Sequence, residues 1–250
     1  MNICMIAGDF PPNCGGIGIY VYNLSKKLIE KGHNVSIFTR GHWKNKCINE
    51  NLDGINLYKV FYIPIYPFHV KLHGYFLKSQ FKHLENEFDI IHVHSPLIPS
   101  FNMNLPTVST IHGTVKGDAY NKGSEDLKSI FNKYFSNRFI SLESKVIKNS
   151  DVITTVSYSC TNEINRMYNT LNEVITVNNG VNTNFFIPKI IKNKNNHYIL
   201  YTGRLDSRKG LIDLIDAAKY VCNEYPNIKF ILVGKGSLET NLKKKIINWV

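Results

Sequence analysis

Apolar positions change period along this chain, and each change marks an element. Residues 2–8 (Asn-Ile-Cys-Met-Ile-Ala-Gly) are a short, nearly continuous apolar run. Apolar side chains then recur at Ile17, Tyr20, Val21, Leu24 and Leu28. The run reads as a strand buried on both faces, and the recurrence as an amphipathic helix over 17–31 with Gly32 as its C-terminal stop. Strand-like runs return at 34–39, 89–94, 107–111, 151–157 and 174–177, and helical stretches near 71–86, 125–149 and 158–170 separate several of them. Alternation of this kind predicts an α/β fold in which helices cover a parallel sheet. Residues 1–182 are expected to form a complete, doubly wound Rossmann-like domain.

The polar segment 183–197, which follows Asn179-Gly180-Val181-Asn182, reads as a linker. A second β–α series begins at Tyr198. Its helix, 210–224, places Leu211, Leu214, Ile215, Ala218 and Val221 on one face. The strand 228–233, the turn Gly234-Lys235-Gly236 and a helix from about Ser237 follow. A doubly wound domain takes about 100–150 residues. Residues 198–250 are therefore expected to be part of such a domain, or one that needs a partner to cover its sheet.

Composition narrows the classes. No uncharged apolar run approaches the roughly 20 residues of a membrane span. Met1 to Ile6 pass straight into a strand without a basic segment, so no signal peptide is expected. Cys4, Cys14, Cys47, Cys160 and Cys222 are scattered and never spaced C-x-x-C. They fit reduced cytoplasmic thiols better than disulfides or a zinc site. The net charge is +11, but Lys and Arg are spread along the chain without interleaved aromatics, which argues against nucleic acid. An anionic membrane surface, a phosphorylated substrate or a merely solvated basic surface would each account for it. Lys26, Lys27 and Lys31, clustered on and after the first helix, point to peripheral association with the inner face of a membrane.

The segment 198–210 carries the strongest chemistry. An apolar strand ends at Gly203, Arg204 and Lys209 follow, and Gly210 opens a helix. Cations and unpaired backbone N–H groups at a strand's carboxyl end suit a diphosphate. Arg208 reads as a solvated neighbour. The loop Gly8 to Gly18 joins the first strand to the first helix, and Gly15 and Gly16 would let a ligand approach its backbone. A dinucleotide is not expected there, because the spacing is not G-x-G-x-x-G and the second strand ends in Thr39-Arg40 without an acid for a ribose. His112 ends an apolar strand and is placed to touch a sugar, or to be an ordinary strand-end histidine. His92 and His94 read as ordinary strand residues. Without a nearby Asp or Glu, their His-x-His spacing is not taken as a metal site.

Together Gly15-Gly16, His112-Gly113, Asn179-Gly180-Val181 and Gly203-Arg204-Leu205 with Lys209-Gly210 resemble the family 4 retaining glycosyltransferases of the GT-B fold. The resemblance runs from residue 1 to the end. It implies transfer of a hexosyl group from a nucleotide diphosphate sugar to a hydroxyl acceptor (a lipid, glycan or small metabolite), with retention and without a metal or other cofactor. It implies that Arg204 and Lys209 bind the donor diphosphate, that the Gly15-Gly16 loop lies under the phosphates and sugar, and that His112 lies against the donor sugar. Gly234 and Gly236 would sit near the nucleotide base. Two departures stand out. Asn182 occupies a position where the family often has aspartate, and the family's acidic E-x₇-E element would fall beyond Val250. The chain thus looks like a family member cut short, and the alternative is a non-catalytic remnant or subunit that binds an acceptor or a partner chain.

Overall fold

A computed structural model describes residues 1–12, 14–42, 48–100, 104–120, 127–170, 172–188 and 197–247, with the side chains of 118–120, 127–134 and 208 left undescribed. Cys47, the polar run 189–196 and the Arg208 side chain thus lie outside the described residues. The chain divides into two compact units, Met1–Val181 and Asn182–Val250.

The first unit is built on one eight-stranded sheet. Its strands in chain order are β1 (Asn2–Ala7), β2 (Asn34–Arg40), β3 (Ile48–Leu52), β4 (Ile55–Val60), β5 (Ile90–Ser95), β6 (Thr107–Ile111), β7 (Val152–Thr155) and β8 (Val174–Thr176). Their spatial order is β3-β4-β2-β1-β5-β6-β7-β8. All neighbours are parallel except β3, which pairs antiparallel with β4. The helices are α1 (Gly16–Glu30), α2 (His69–Lys82), α3 (Val115–Tyr120), α4 (Leu127–Lys148) and α5 (Tyr158–Met167).

The hairpin β3–β4 and the short α3 are not expected from the apolar pattern. Asp53-Gly54, both at positive φ (52° and 85°), make the tight turn between the two strands. Asp-Gly is a strong hairpin signal, but Ile48–Leu52 is polar and short because it is an outer strand. Elsewhere the expected elements hold with ends shifted by a few residues. The expected helix 71–86 ends at Lys82, and a 3₁₀ turn follows over Glu85–Glu87.

The central strands are apolar on both faces because both are covered. On β1, Ile3, Met5 and Ala7 pack with Val21 of α1, and with Ile37 and Leu57. Cys4 and Ile6 turn the other way, to Phe38 and to Leu77 and Phe81 of α2. A fully buried side chain of this size contributes about 1.5–3 kcal/mol. Truncating Phe38, which stacks on Tyr58 at 4.7 Å between ring centroids, should cost about 3–5 kcal/mol.

In the second unit β9 (His197–Thr202) pairs parallel with β10 (Ile228–Val233), and α6 (Leu211–Glu224) and α7 (Glu239–Ile247) follow the two strands. Leu205, Leu211, Ile215 and Leu242 make a small core with Tyr201 and Leu232 at its edge. The other sheet face is open among the described residues. The register sets Tyr198 opposite Lys229 and Leu200 opposite Ile231, and Tyr198, Leu200, Ile231 and Val233 are all exposed.

Candidate functional site

Because seven of the eight strands in the first unit run parallel, their carboxyl ends bring several polar groups to one sheet edge. Gly8 follows β1, Arg40 ends β2, Ser95 ends β5 and His112 follows β6. The glycine loop is tied at its neck, where the Gly15 N–H donates to Asp9 Oδ2 at 2.5 Å. Gly15 is also the N-cap of α1 and supplies no side-chain cap bond. The packing demand for glycine in this loop falls on Gly18, where a Cβ would come 2.5 Å from that of Cys14. At Gly16 nothing lies within 4 Å of such a Cβ, so open space adjoins the start of the helix.

His112 belongs to a cluster that sequence periodicity did not reveal. His94 Nδ1 lies 3.3 Å from His112 Nε2, and the Tyr20 ring of α1 stands edge-on to His112 at 4.8 Å and to His94 at 5.8 Å. His92, two residues earlier on β5, has Nε2 at 2.7 Å from Thr110 Oγ1, which in turn lies 2.7 Å from Thr154 Oγ1. Burial pushes His92 and His112 down to about 4 and His94 well below the ordinary histidine range. All three are neutral at physiological pH. The reading of His92 and His94 as ordinary strand residues misses their contact with the candidate site. Among the described residues no group of three or more His, Cys, Asp or Glu side chains is placed to hold a metal ion.

Glu143 of α4 holds the segment after His112. Its buried carboxylate accepts from Val115 N–H at 2.9 Å, from Ser95 Oγ at 3.4 Å and from the Tyr168 hydroxyl. Burial pushes this carboxyl up to about 7, against the pull of those three hydrogen bonds. A signal for it existed. Glu143 lies on the same helical stripe as Phe139, Val146 and Ile147, and a charge inside an apolar stripe needs partners.

In the second unit Arg204 and Lys209 lie on the segment that leaves the carboxyl end of β9. The Arg204 guanidinium donates twice to Asp206 Oδ2, from Nε at 3.1 Å and from Nη2 at 2.7 Å. That pairing orients the fork but leaves the side chain 67% exposed. Lys209 is exposed at the end of a 3₁₀ turn, and Gly210 (φ 62°) caps α6 in the left-handed conformation. The turn Gly234-Lys235-Gly236 lies against the same segment. Gly203 N–H donates to the Val233 carbonyl and Leu205 N–H to that of Lys235, each at 3.0 Å. A Cβ on Gly234 would sit 1.8 Å from the Gly203 oxygen, and one on Gly236 2.2 Å from the Leu205 oxygen. Those two glycines are therefore required for backbone contact, independently of any ligand.

The sequence profile of Glycosyltransferase Family 4 matches residues 14–185, and that of Glycosyl transferases group 1 matches residues 182–248. The chain belongs to glycosyltransferase family 4. It is 29% identical over 249 residues to one of the subunits of human phosphatidylinositol N-acetylglucosaminyltransferase, covering 94% of this chain and 48% of that protein. It is 24% identical to glycogen synthase of Mycobacterium tuberculosis, covering 95% of this chain and 62% of that one. The chain thus spans about half the length of the curated relatives it matches first. Among solved structures it is similar to sucrose-phosphate synthase from Thermosynechococcus elongatus (TM-score 0.77, 20% identity, 99% of this chain and 67% of that one). WaaG, a glycosyltransferase involved in lipopolysaccharide biosynthesis, is similar with TM-score 0.72 and 14% identity, over 99% and 67% of the two chains. The fold is GT-B-like.

Proposed function

We propose that this chain carries out transfer of a hexosyl group from a nucleotide diphosphate sugar to a hydroxyl acceptor, with retention of configuration and without a metal. The observation that carries the reading is the placement of Arg204 and Lys209 after the carboxyl end of β9, in a chain of this family. Negative charge grows on the donor diphosphate as its bond to the sugar breaks. An arginine fork and a lysine point charge on those phosphates stabilise that charge more in the transition state than before it. His112, neutral at working pH, faces the sugar as a hydrogen-bonding group. Gly15 and Gly16 leave room for phosphates beside α1, and Gly234 and Gly236 shape the turn nearest the base.

The names of the human and yeast relatives join N-acetylglucosaminyl transfer to phosphatidylinositol. We extend that pairing to this chain as its preferred donor sugar and acceptor. The test is transfer and hydrolysis with UDP- and GDP-linked N-acetylglucosamine and glucose, with the product anomer read by proton NMR. Transfer with retained configuration that survives EDTA is expected. Absence of both binding and turnover with every one of these nucleotide sugars would overturn the reading.

No helix among the described residues is long and apolar enough to cross a membrane. We propose peripheral binding to anionic lipid on the cytoplasmic side instead. Lys27 is partly engaged by Glu30 at 2.5 Å and Lys26 lies 5.6 Å from the Tyr22 ring centroid, so the attraction draws on the overall +11 charge. Co-sedimentation with anionic but not neutral liposomes at low salt is expected, and equal binding to both would exclude it.

A further inference from the structure

At the carboxyl end of β2 a largely buried cation pairs with no acid among the described residues. Arg40 Nη2 donates to the Leu97 carbonyl at 2.5 Å. Among the described residues its Nε–H is sealed from solvent without an acceptor, and none accepts from Nη1. The guanidinium carbon stands 5.2 Å from the Tyr62 ring centroid. On another side it packs against Gly8, where a Cβ would come within 3.5 Å of it. Among the described residues no carboxylate forms an ion pair with it. Asp9 acts on it only at longer range and is itself bonded to Gly15.

The neighbours cannot supply the missing charge. His69 and His73 of α2 carry no negative charge in either protonation state. Burial, with the Arg40 charge, pushes both below the ordinary histidine range, His73 to about 4 against the pull of its contact with the Phe61 carbonyl. A buried guanidinium among neutral rings, with unused N–H groups, is an arrangement that native proteins seldom leave without an anion. Its surroundings also have a direction. The segment between β4 and α2 exposes Ile65, Tyr66 and Phe68, and the Arg138 guanidinium lies 4.8 Å from the Phe68 ring centroid. A cationic seat against Tyr62, in the segment that goes on to expose these apolar side chains, matches a molecule with a phosphate at one end and an apolar part at the other.

We propose that Arg40 seats a phosphate group of the acceptor, with Nη1 facing the phosphate oxygens and the Leu97 carbonyl holding the fork in place. Calling the bound molecule an acceptor rests on the transferase reading above, whereas the anion site itself does not. The competing role for Arg40 is structural, a clamp on the turn at Leu97, and it predicts no anion binding.

The experiment titrates the whole chain with myo-inositol 1-phosphate, and separately with phosphatidylcholine vesicles with and without phosphatidylinositol. The soluble ester is expected to bind, with affinity reduced roughly tenfold or more in Arg40→Gln and less in Arg40→Lys. Arg40-dependent binding to the phosphatidylinositol vesicles alone would also support the seat and assign it to a lipid headgroup. Binding of neither probe, or equal binding by wild type and Arg40→Gln, would overturn it. Should Arg40→Gln fail to fold, phenylglyoxal labelling of the wild type decides the matter. The phosphate ester should protect Arg40 and leave the exposed Arg166 reactive, and equal labelling of Arg40 with and without ester would overturn the proposal. No nucleotide enters these measurements, so their failure leaves donor binding at Arg204 and Lys209 standing.

Discussion

His94 Nδ1 and His112 Nε2 face each other at 3.3 Å, and that contact sets how the His112 ring is protonated. Both rings are neutral, so one nitrogen donates and the other accepts. His94 is fully buried and its Nε2 has no partner among the described residues. An orphaned N–H is the rarer outcome in native structures, so Nε2 is the bare nitrogen and Nδ1 carries the proton. His112 Nε2 then accepts, and its Nδ1–H is left to donate.

His94→Phe keeps a ring beside Tyr20 and removes that donor. Leaving a buried acceptor unpaired costs about 1–3 kcal/mol, and the His112 tautomer is no longer fixed. The expected result is a roughly tenfold fall in kcat/KM for transfer, with a change in the His112 imidazole ¹⁵N shifts. Unaltered shifts would show that His94 does not set the tautomer.

Stability should fall as the solution is acidified below about pH 6.5. His73, His92 and His112 titrate near 4 in the folded chain and His94 lower still, while each takes up a proton near 6.5 once unfolded. Between those limits the unfolded state binds more protons, so stability rises with pH. Glu143 opposes this by one proton between its ordinary 4.5 and about 7, because its protonated form is favoured in the folded chain. Four histidines outweigh one carboxyl. Unfolding free energies from urea titrations between pH 4.5 and 6.5 should climb with a slope above about 1.4 kcal/mol per pH unit, the value for one net proton. A flat profile would mean that the histidines are hydrated.

Arg204→Ala and Lys209→Ala should each weaken nucleoside diphosphate binding roughly tenfold to a hundredfold, the equivalent of about 1.5–3 kcal/mol per charge-assisted hydrogen bond. Lys243→Ala, which removes a lysine paired with Glu239 on α7, should change affinity by less than about 0.5 kcal/mol. Calorimetric titration with UDP and GDP separates a site from general attraction. Equal losses in all three variants would indicate the latter.

Gly234→Ala and Gly236→Ala should destabilise the second unit before they affect chemistry. Each new methyl would meet a backbone oxygen at 1.8 or 2.2 Å, where no side chain can swing away. A loss of about 2 kcal/mol or more is expected from such overlap. Hydrogen exchange at β9 and β10 is the readout, and wild-type protection in either variant would show that the turn can move aside.

The open face of β9 and β10 should drive self-association. A parallel sheet is normally covered on both sides, and here Leu200 and Ile231 are exposed side by side. Leu200→Ser with Ile231→Thr should shift sedimentation toward monomer. A wild-type chain that is already monomeric at high concentration would exclude this.

Period and punctuation in the sequence determined the strands, the main helices and the positions of Arg204, Lys209, Gly15, Gly16 and His112 on their loops. Those features are local: a buried parallel strand must be apolar on consecutive positions, and a helix must show its stripe within two turns. The outer hairpin was less legible, because β3 is polar and only its Asp53-Gly54 turn marks it. What tertiary structure alone decided are the contacts between distant segments. His94 meets His112 because β5 and β6 lie side by side, and Glu143 reaches Ser95 and Val115 because α4 packs across the sheet edge. Arg40 stands out only in three dimensions. Its lack of a counter-ion among the described residues depends on which groups 57 residues away, at Leu97, and beyond fold against it, and one-dimensional pattern carries no record of such an absence.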